Sequence, residues 1–164
     1  MTHWNSFSRK IIVNAPMEAI YSLWATPGGL ENWFLRKAEF KDSSGRIRSG
    51  NEFIQKGDHY FWLWHGYADD VFESNPVLEA DGKSLIRFIF SGQTEVEVKL
   101  SEIDGQTLVE LTQSKIEFDN DPKENLYVQC SIGWTFYLSN LKCMAEKGPD
   151  LRNKNEQLQN VINA

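Results

Sequence analysis

The chain has 164 residues, enough for one domain that buries its own core without disulfide or metal staples. With 41% hydrophobic and 13% aromatic residues it lies far from disordered composition, and its net charge of −6 opposes binding to nucleic-acid phosphates or anionic lipid. No apolar run approaches the ~18 residues of a membrane span, and the N-terminus lacks the apolar segment of a signal peptide, so a cytoplasmic protein is expected.

Phe7 to Val13 is rich in β-branched residues and is expected as a strand near a sheet edge, given Arg9 and Lys10. The period then changes. Pro16 opens a helical pattern in which Ile20, Leu23 and Trp24 share a face. Thr26-Pro27 supplies a cap and a first residue for a second short helix carrying Leu30, Trp33 and Phe34. Beyond Arg36, glycine pairs such as Ser44-Gly45, Ser91-Gly92 and Asp104-Gly105 separate apolar runs and mark hairpins. The strands expected are Lys37 to Lys41, Glu52 to Lys56, Tyr60 to Phe72, Leu85 to Phe90, Glu95 to Ile103 and Thr107 to Phe118, forming an antiparallel meander. Alternation is clearest in Glu95 to Leu100, as in a sheet wet on one side.

Leu126 to Lys147 reads as one long amphipathic helix. Leu126, Cys130, Trp134, Tyr137, Leu141 and Met144 recur at the helical period. Asp121, Pro122 and Glu124 suit its start, and Gly148 in the left-handed conformation with Pro149 beyond suits its stop. Cys130 and Cys143 then stand about 20 Å apart along the axis, too far for a disulfide. The polar tail, Asp150 to Ala164, offers Leu158, Val161 and Ile162 as a short apolar face. It is expected to cover Ile132, Phe136 and Cys143 on the helix's second side, with another subunit as the alternative, so a homodimer stays open.

Strand, two helices, meander and terminal helix make an α+β, helix-grip plan. A curved antiparallel sheet of six to seven strands surrounds the long C-terminal helix within a single domain of residues 1–164. Ala15-Pro16, Glu18, Trp24, Thr26-Pro27, Leu30 and Trp33-Phe34, with Gly133-Trp134, Leu138, Asn140-Leu141-Lys142, Gly148 and Asp150-Leu151-Arg152, resemble bacterial START-like proteins related to the activator of heat shock protein 90 ATPase. The resemblance spans Ile11 to about Asn155. It implies a superfamily that holds hydrophobic ligands between sheet and terminal helix, with lipid carriers, hormone receptors and polyketide cyclases among its members; it does not imply one activity.

The ligand-binding candidates follow from that plan. On the helix they are Trp134, Tyr137 and Leu138, facing Phe88 and Phe90 on the sheet, with Trp33 and Phe34 near the mouth. Trp62 and Trp64 alternate against Phe61, Leu63, His65 and Tyr67 in the densest aromatic run, and neither face declares itself inward. His65 titrates near neutrality and is either an acid, base or ligand-orienting donor, or a satisfied rim residue. Gln113 continues the inward Val109, Leu111 face and either orients a ligand, bonds to backbone or sits in a bulge. Gly133 inside the helix costs roughly 1 kcal/mol relative to alanine, which calls for close packing or room for a ligand.

His3, His59 and His65 lack zinc spacing with either cysteine, no catalytic signature is present, and no metal or cofactor is implied. The function expected is binding of a small hydrophobic or amphipathic molecule. The alternatives are a cyclase- or aromatase-type enzyme acting on a polyketide-like substrate through His65 or Gln113, and a chaperone-linked interaction protein.

Overall fold

The computed structural model describes residues 4–158 and Val161. The elements run β1 (Phe7–Val13), α1 (Met17–Ala25), α2 (Pro27–Trp33), β2 (Lys37–Lys41), β3 (His59–Leu63), β4 (Phe72–Ala80), β5 (Leu85–Phe90), β6 (Thr94–Ile103), β7 (Gln106–Ser114) and α3 (Leu126–Ala145). The strands form one antiparallel sheet in the order β1-β7-β6-β5-β4-β3-β2. The meander therefore closes by pairing β7 with β1, the first strand of the chain. This is the curved-sheet, helix-grip α+β arrangement expected from the sequence.

Alternation decides which face is inward. Val96, Val98 and Leu100 on β6 and Val109, Leu111 and Gln113 on β7 are buried, while the residues between them are half or fully exposed. On β3 the inward set is Tyr60 and Trp62, whose rings stack 3.9 Å apart. Helix α3 lies along β1 and against α2, so its apolar stripe covers this face.

Two expected strands change. Glu52 to Lys56 is not a strand, because its backbone and side chains find partners elsewhere. Ile54 N–H donates to Ala25 O, closing the 42–58 loop onto α1. Inside that loop Arg48 forks onto both oxygens of Asp58, also donates to Glu52 over 2.7 Å, and Asp58 accepts from the Gln55 N–H. Arg48 and Asp58 are both buried, and this full set of bonds is what makes a buried charge pair tolerable. The Tyr60 to Phe72 run is also broken: the chain turns after Leu63, and β4 begins only at Phe72. Pro76 of β4 stands opposite His59, the first residue of β3, and the next residue, Val77, donates its N–H to Asp58 O.

At the ends of α3 the capping residues also differ. Asn125 is the N-cap, its Oδ1 accepting from Val128 N–H, while Asp121 to Glu124 form a preceding turn. At the other end Lys147, not Gly148, takes the left-handed conformation, with φ of 62°. Gly148 is needed for proximity instead: a Cβ there would lie 2.6 Å from Cys143 Sγ. Cys130 and Cys143 are both free thiols.

The residues that carry the resemblance hold α2 to α3. Asn140, fully buried, donates to Trp33 O and accepts from Leu151 N–H. Arg152 donates to Glu31 O and Asn32 O, orphan carbonyls at the C-terminus of α2, and to Leu35 O just beyond it, and pairs with Asp150. Ile132 nevertheless stays 62% exposed and Leu158 49%, so the described part of the tail does not cover the second side of α3; Ile162 lies outside the described residues.

Candidate functional site

The ring-lined cleft lies where α3 crosses the β5–β6 hairpin, with a volume of about 270 Å³. Trp134 is its base. The Phe34 ring sits 5.2 Å from it and the Phe90 ring 5.3 Å, while Tyr137 meets Phe34 edge-on at 4.8 Å. Trp64 and Tyr67, from the segment between β3 and β4, form the outer wall. The helical wall is set by spacing: Leu126, Cys130, Trp134 and Tyr137 line one stripe of α3, and Gln129 and Gly133 line the row beside it. A Cβ on Gly133 would meet nothing within 4 Å, so the glycine does not serve close packing.

One end of the cleft is polar. Ser91 and Gly92 both have positive φ, 45° and 81°, the combination of a tight hairpin turn. That turn places Ser91 against the helix, where the Cys130 thiol lies 3.8 Å from its hydroxyl. Behind it Ser91 N–H donates to Glu73 over 3.1 Å, and Asn75 donates to the other carboxyl oxygen over 2.8 Å. Burial raises the Glu73 carboxyl above its ordinary value, and it raises the Cys130 thiol and the Tyr137 hydroxyl likewise. Among the described residues no side chain lining the cleft is charged.

Of the residues singled out in the sequence, the structure brings Phe34, Trp64, Phe90, Trp134 and Tyr137 together here. Trp33, Trp62, Phe88 and Leu138 lie behind them as filled core, Trp33 donating its indole N–H to Leu23 O. Gln113 is fully buried in register opposite Val96, without a bulge. Its amide donates to Thr94 Oγ1 and accepts from Trp134 Nε1, so both ends are committed to protein partners. His65 belongs to a neighbouring polar depression with Arg36, Asp69 and Glu156, separated from the cleft by Tyr67, which lines both. Burial lowers its pKa, and the Arg152, Lys154 and Arg36 charges lower it further. Ser91 and Cys130 are not among the site candidates singled out from the sequence. The helical spacing already placed Cys130 beside Trp134, and the unexplained helical glycine marked the spot.

Two other depressions are polar and hold charged side chains that pair with one another, Arg36 with Asp69 in one and those of the 42–58 loop in the other. A further apolar depression beside Tyr21 and Phe53 sits away from α3. Among the described residues no group of His, Cys, Asp and Glu could hold a metal ion, and no helix is long and apolar enough to cross a membrane.

A curved sheet gripping a terminal helix over an aromatic cleft defines a START-like fold. The chain belongs to the family of Activator of Hsp90 ATPase homolog 1-like proteins, whose model matches residues 14–146. Solved structures share the architecture at low identity. A protein from Staphylococcus saprophyticus is 19% identical with a TM-score of 0.70, over 90% of this chain and 96% of that one. The Aha1 dimer from Colwellia psychrerythraea is 21% identical with a TM-score of 0.67, over 87% and 97%. DynU16, a protein of the dynemicin biosynthetic locus, is 15% identical with a TM-score of 0.69, over 92% of this chain and 50% of that one. No curated protein matches the chain.

Proposed function

We propose that this protein binds a small apolar or amphipathic molecule in the cleft between α3 and the β5–β6 hairpin. The observation that carries the reading is Gly133. An interior helical glycine costs roughly 1 kcal/mol relative to alanine, and here the space it leaves is filled by no protein atom and opens onto an uncharged aromatic cleft. His65 stands outside that cleft, and Gln113 is spent on Thr94 and Trp134, which favours binding over turnover. The two free thiols suit a reducing compartment, which supports a cytoplasmic site of action.

Native mass spectrometry of freshly purified protein tests the reading directly. A co-purified small molecule that is lost on mild activation is the expected result. A bare protein that also fails to take up any apolar probe would overturn it. The reading extends to a homodimer, because the Colwellia relative is a dimer and Ile132 on α3 is exposed. Light scattering should give twice the chain mass, and a monomer at all concentrations would remove that extension.

A further inference from the structure

The polar end of the cleft restricts what can enter it. Ser91 gives its N–H to Glu73 over 3.1 Å, which fixes the serine at the hairpin among the residues that line the cleft. A hydroxyl oxygen has two acceptor sites besides its one donor. The Cys130 thiol, a weak donor, stands 3.8 Å from that oxygen, which leaves acceptor capacity on the cleft side.

Charge restricts the occupant further. Among the described residues no lysine, arginine, aspartate or glutamate side chain lines the cleft. The cation bonded to the rim segment, Arg36, donates to the Trp64 and Tyr67 carbonyls and closes on Asp69 at 2.6 Å, so it is already neutralised. A carboxylate or phosphate placed here would lose its hydration and find no counter-ion, and a cation would find none in the lining either. Aromatic rings dominate the rest of the lining, among them Phe34, Trp64, Phe90 and Trp134, beside Leu126 and Gln129 of α3. The volume is that of about nine water molecules in the liquid, the scale of a two-ring compound.

We propose that the cleft takes an uncharged, largely aromatic amphiphile whose hydroxyl group donates a hydrogen bond to Ser91. This rests on the binding reading above and narrows it to a ligand class. The ligand lies with its ring system against Trp134, Phe34 and Phe90 and its hydroxyl at the hairpin. Gly133 gives the room for the ring edge.

Calorimetric titration at neutral pH with three probes of one shape tests this: naphthol, its methyl ether, and naphthoate. The wild-type protein should bind naphthol about tenfold tighter than either of the others, the ether lacking the donor and the naphthoate carrying the charge. Ser91→Gly, which suits a φ of 45° better than serine and so keeps the turn, should bring naphthol down to the affinity of the ether and leave the ether unchanged. Naphthoate binding as tightly as naphthol, or a naphthol preference that survives Ser91→Gly, would overturn the ligand class while leaving the cleft as a binding site. Failure of all three probes to bind would overturn the binding reading itself, and this inference with it.

Discussion

The Trp134 indole N–H donates to Gln113 Oε1 over 2.9 Å, tying the terminal helix to β7 through two fully enclosed side chains. Gln113→Leu would leave that N–H buried without an acceptor. The expected loss is about 1–3 kcal/mol in a urea melt. Wild-type stability in the variant would mean that the bond contributes nothing to the fold.

Arg152 is the strap between the chain after α3 and the end of α2. Removing it takes the donor from the Glu31, Asn32 and Leu35 carbonyls and leaves Asp150 with Lys154 as its remaining cation. Arg152→Ala should cost about 3 kcal/mol, the scale for breaking a buried charged group from its partners. Arg152→Lys should recover little, since an ammonium cannot reproduce the planar fork. Full rescue by lysine would contradict the strap.

Two carboxyls should give stability opposite slopes against pH. Burial raises the Asp150 pKa, but hydrogen bonds from Arg152 and Lys154 outweigh it and hold the group well below its ordinary 3.8. Asp150 therefore stabilises the fold above that ordinary value, and the contribution is lost as pH falls below it. Burial raises Glu73 above its ordinary 4.5, against hydrogen bonds from Ser91 and Asn75. Its contribution is fully present below 4.5 and is lost as pH rises through the folded value. Glu73→Gln should consequently raise the melting temperature at neutral pH, with the gain vanishing in acid. A Glu73→Gln variant that runs parallel to wild type across the whole range would refute the assignment.

Gly133→Ala adds a methyl group that meets no atom, on a helix that gains propensity. It should stabilise the protein by about 1 kcal/mol in chemical denaturation. A loss of stability would show that the space is not free.

Periodicity made most of this fold legible. The 3.6-residue stripe of α3 and the two-residue alternation of β6 and β7 are strong local signals, and burial follows them closely. β4 escaped because Glu73, Asn75 and Pro76 interrupt the pattern of a central strand, and their roles depend on partners far along the chain: Ser91 for the carboxyl and the end of β3 for the proline. The 52–56 segment misled for the converse reason, since Phe53-Ile54 looks like a strand while its N–H group goes to α1. At the site, residue type could not separate lining from filling. Trp62 and Trp64 are equally aromatic and lie on the same side of the chain, yet depth makes one core and the other wall. Ser91 is readable as a turn residue only, because its place in the cleft depends on which helix the hairpin meets.

The central claim is that the space beside Gly133 is kept for a ligand. Titration of an environment-sensitive apolar dye into wild-type protein and Gly133→Leu, with denaturant melts of both, tests it most directly. The leucine side chain should occupy the cleft, so the account predicts a saturable dye signal in wild type that is lost in Gly133→Leu while stability is kept or raised. Equal dye binding by the two proteins, or no binding by wild type, would contradict it.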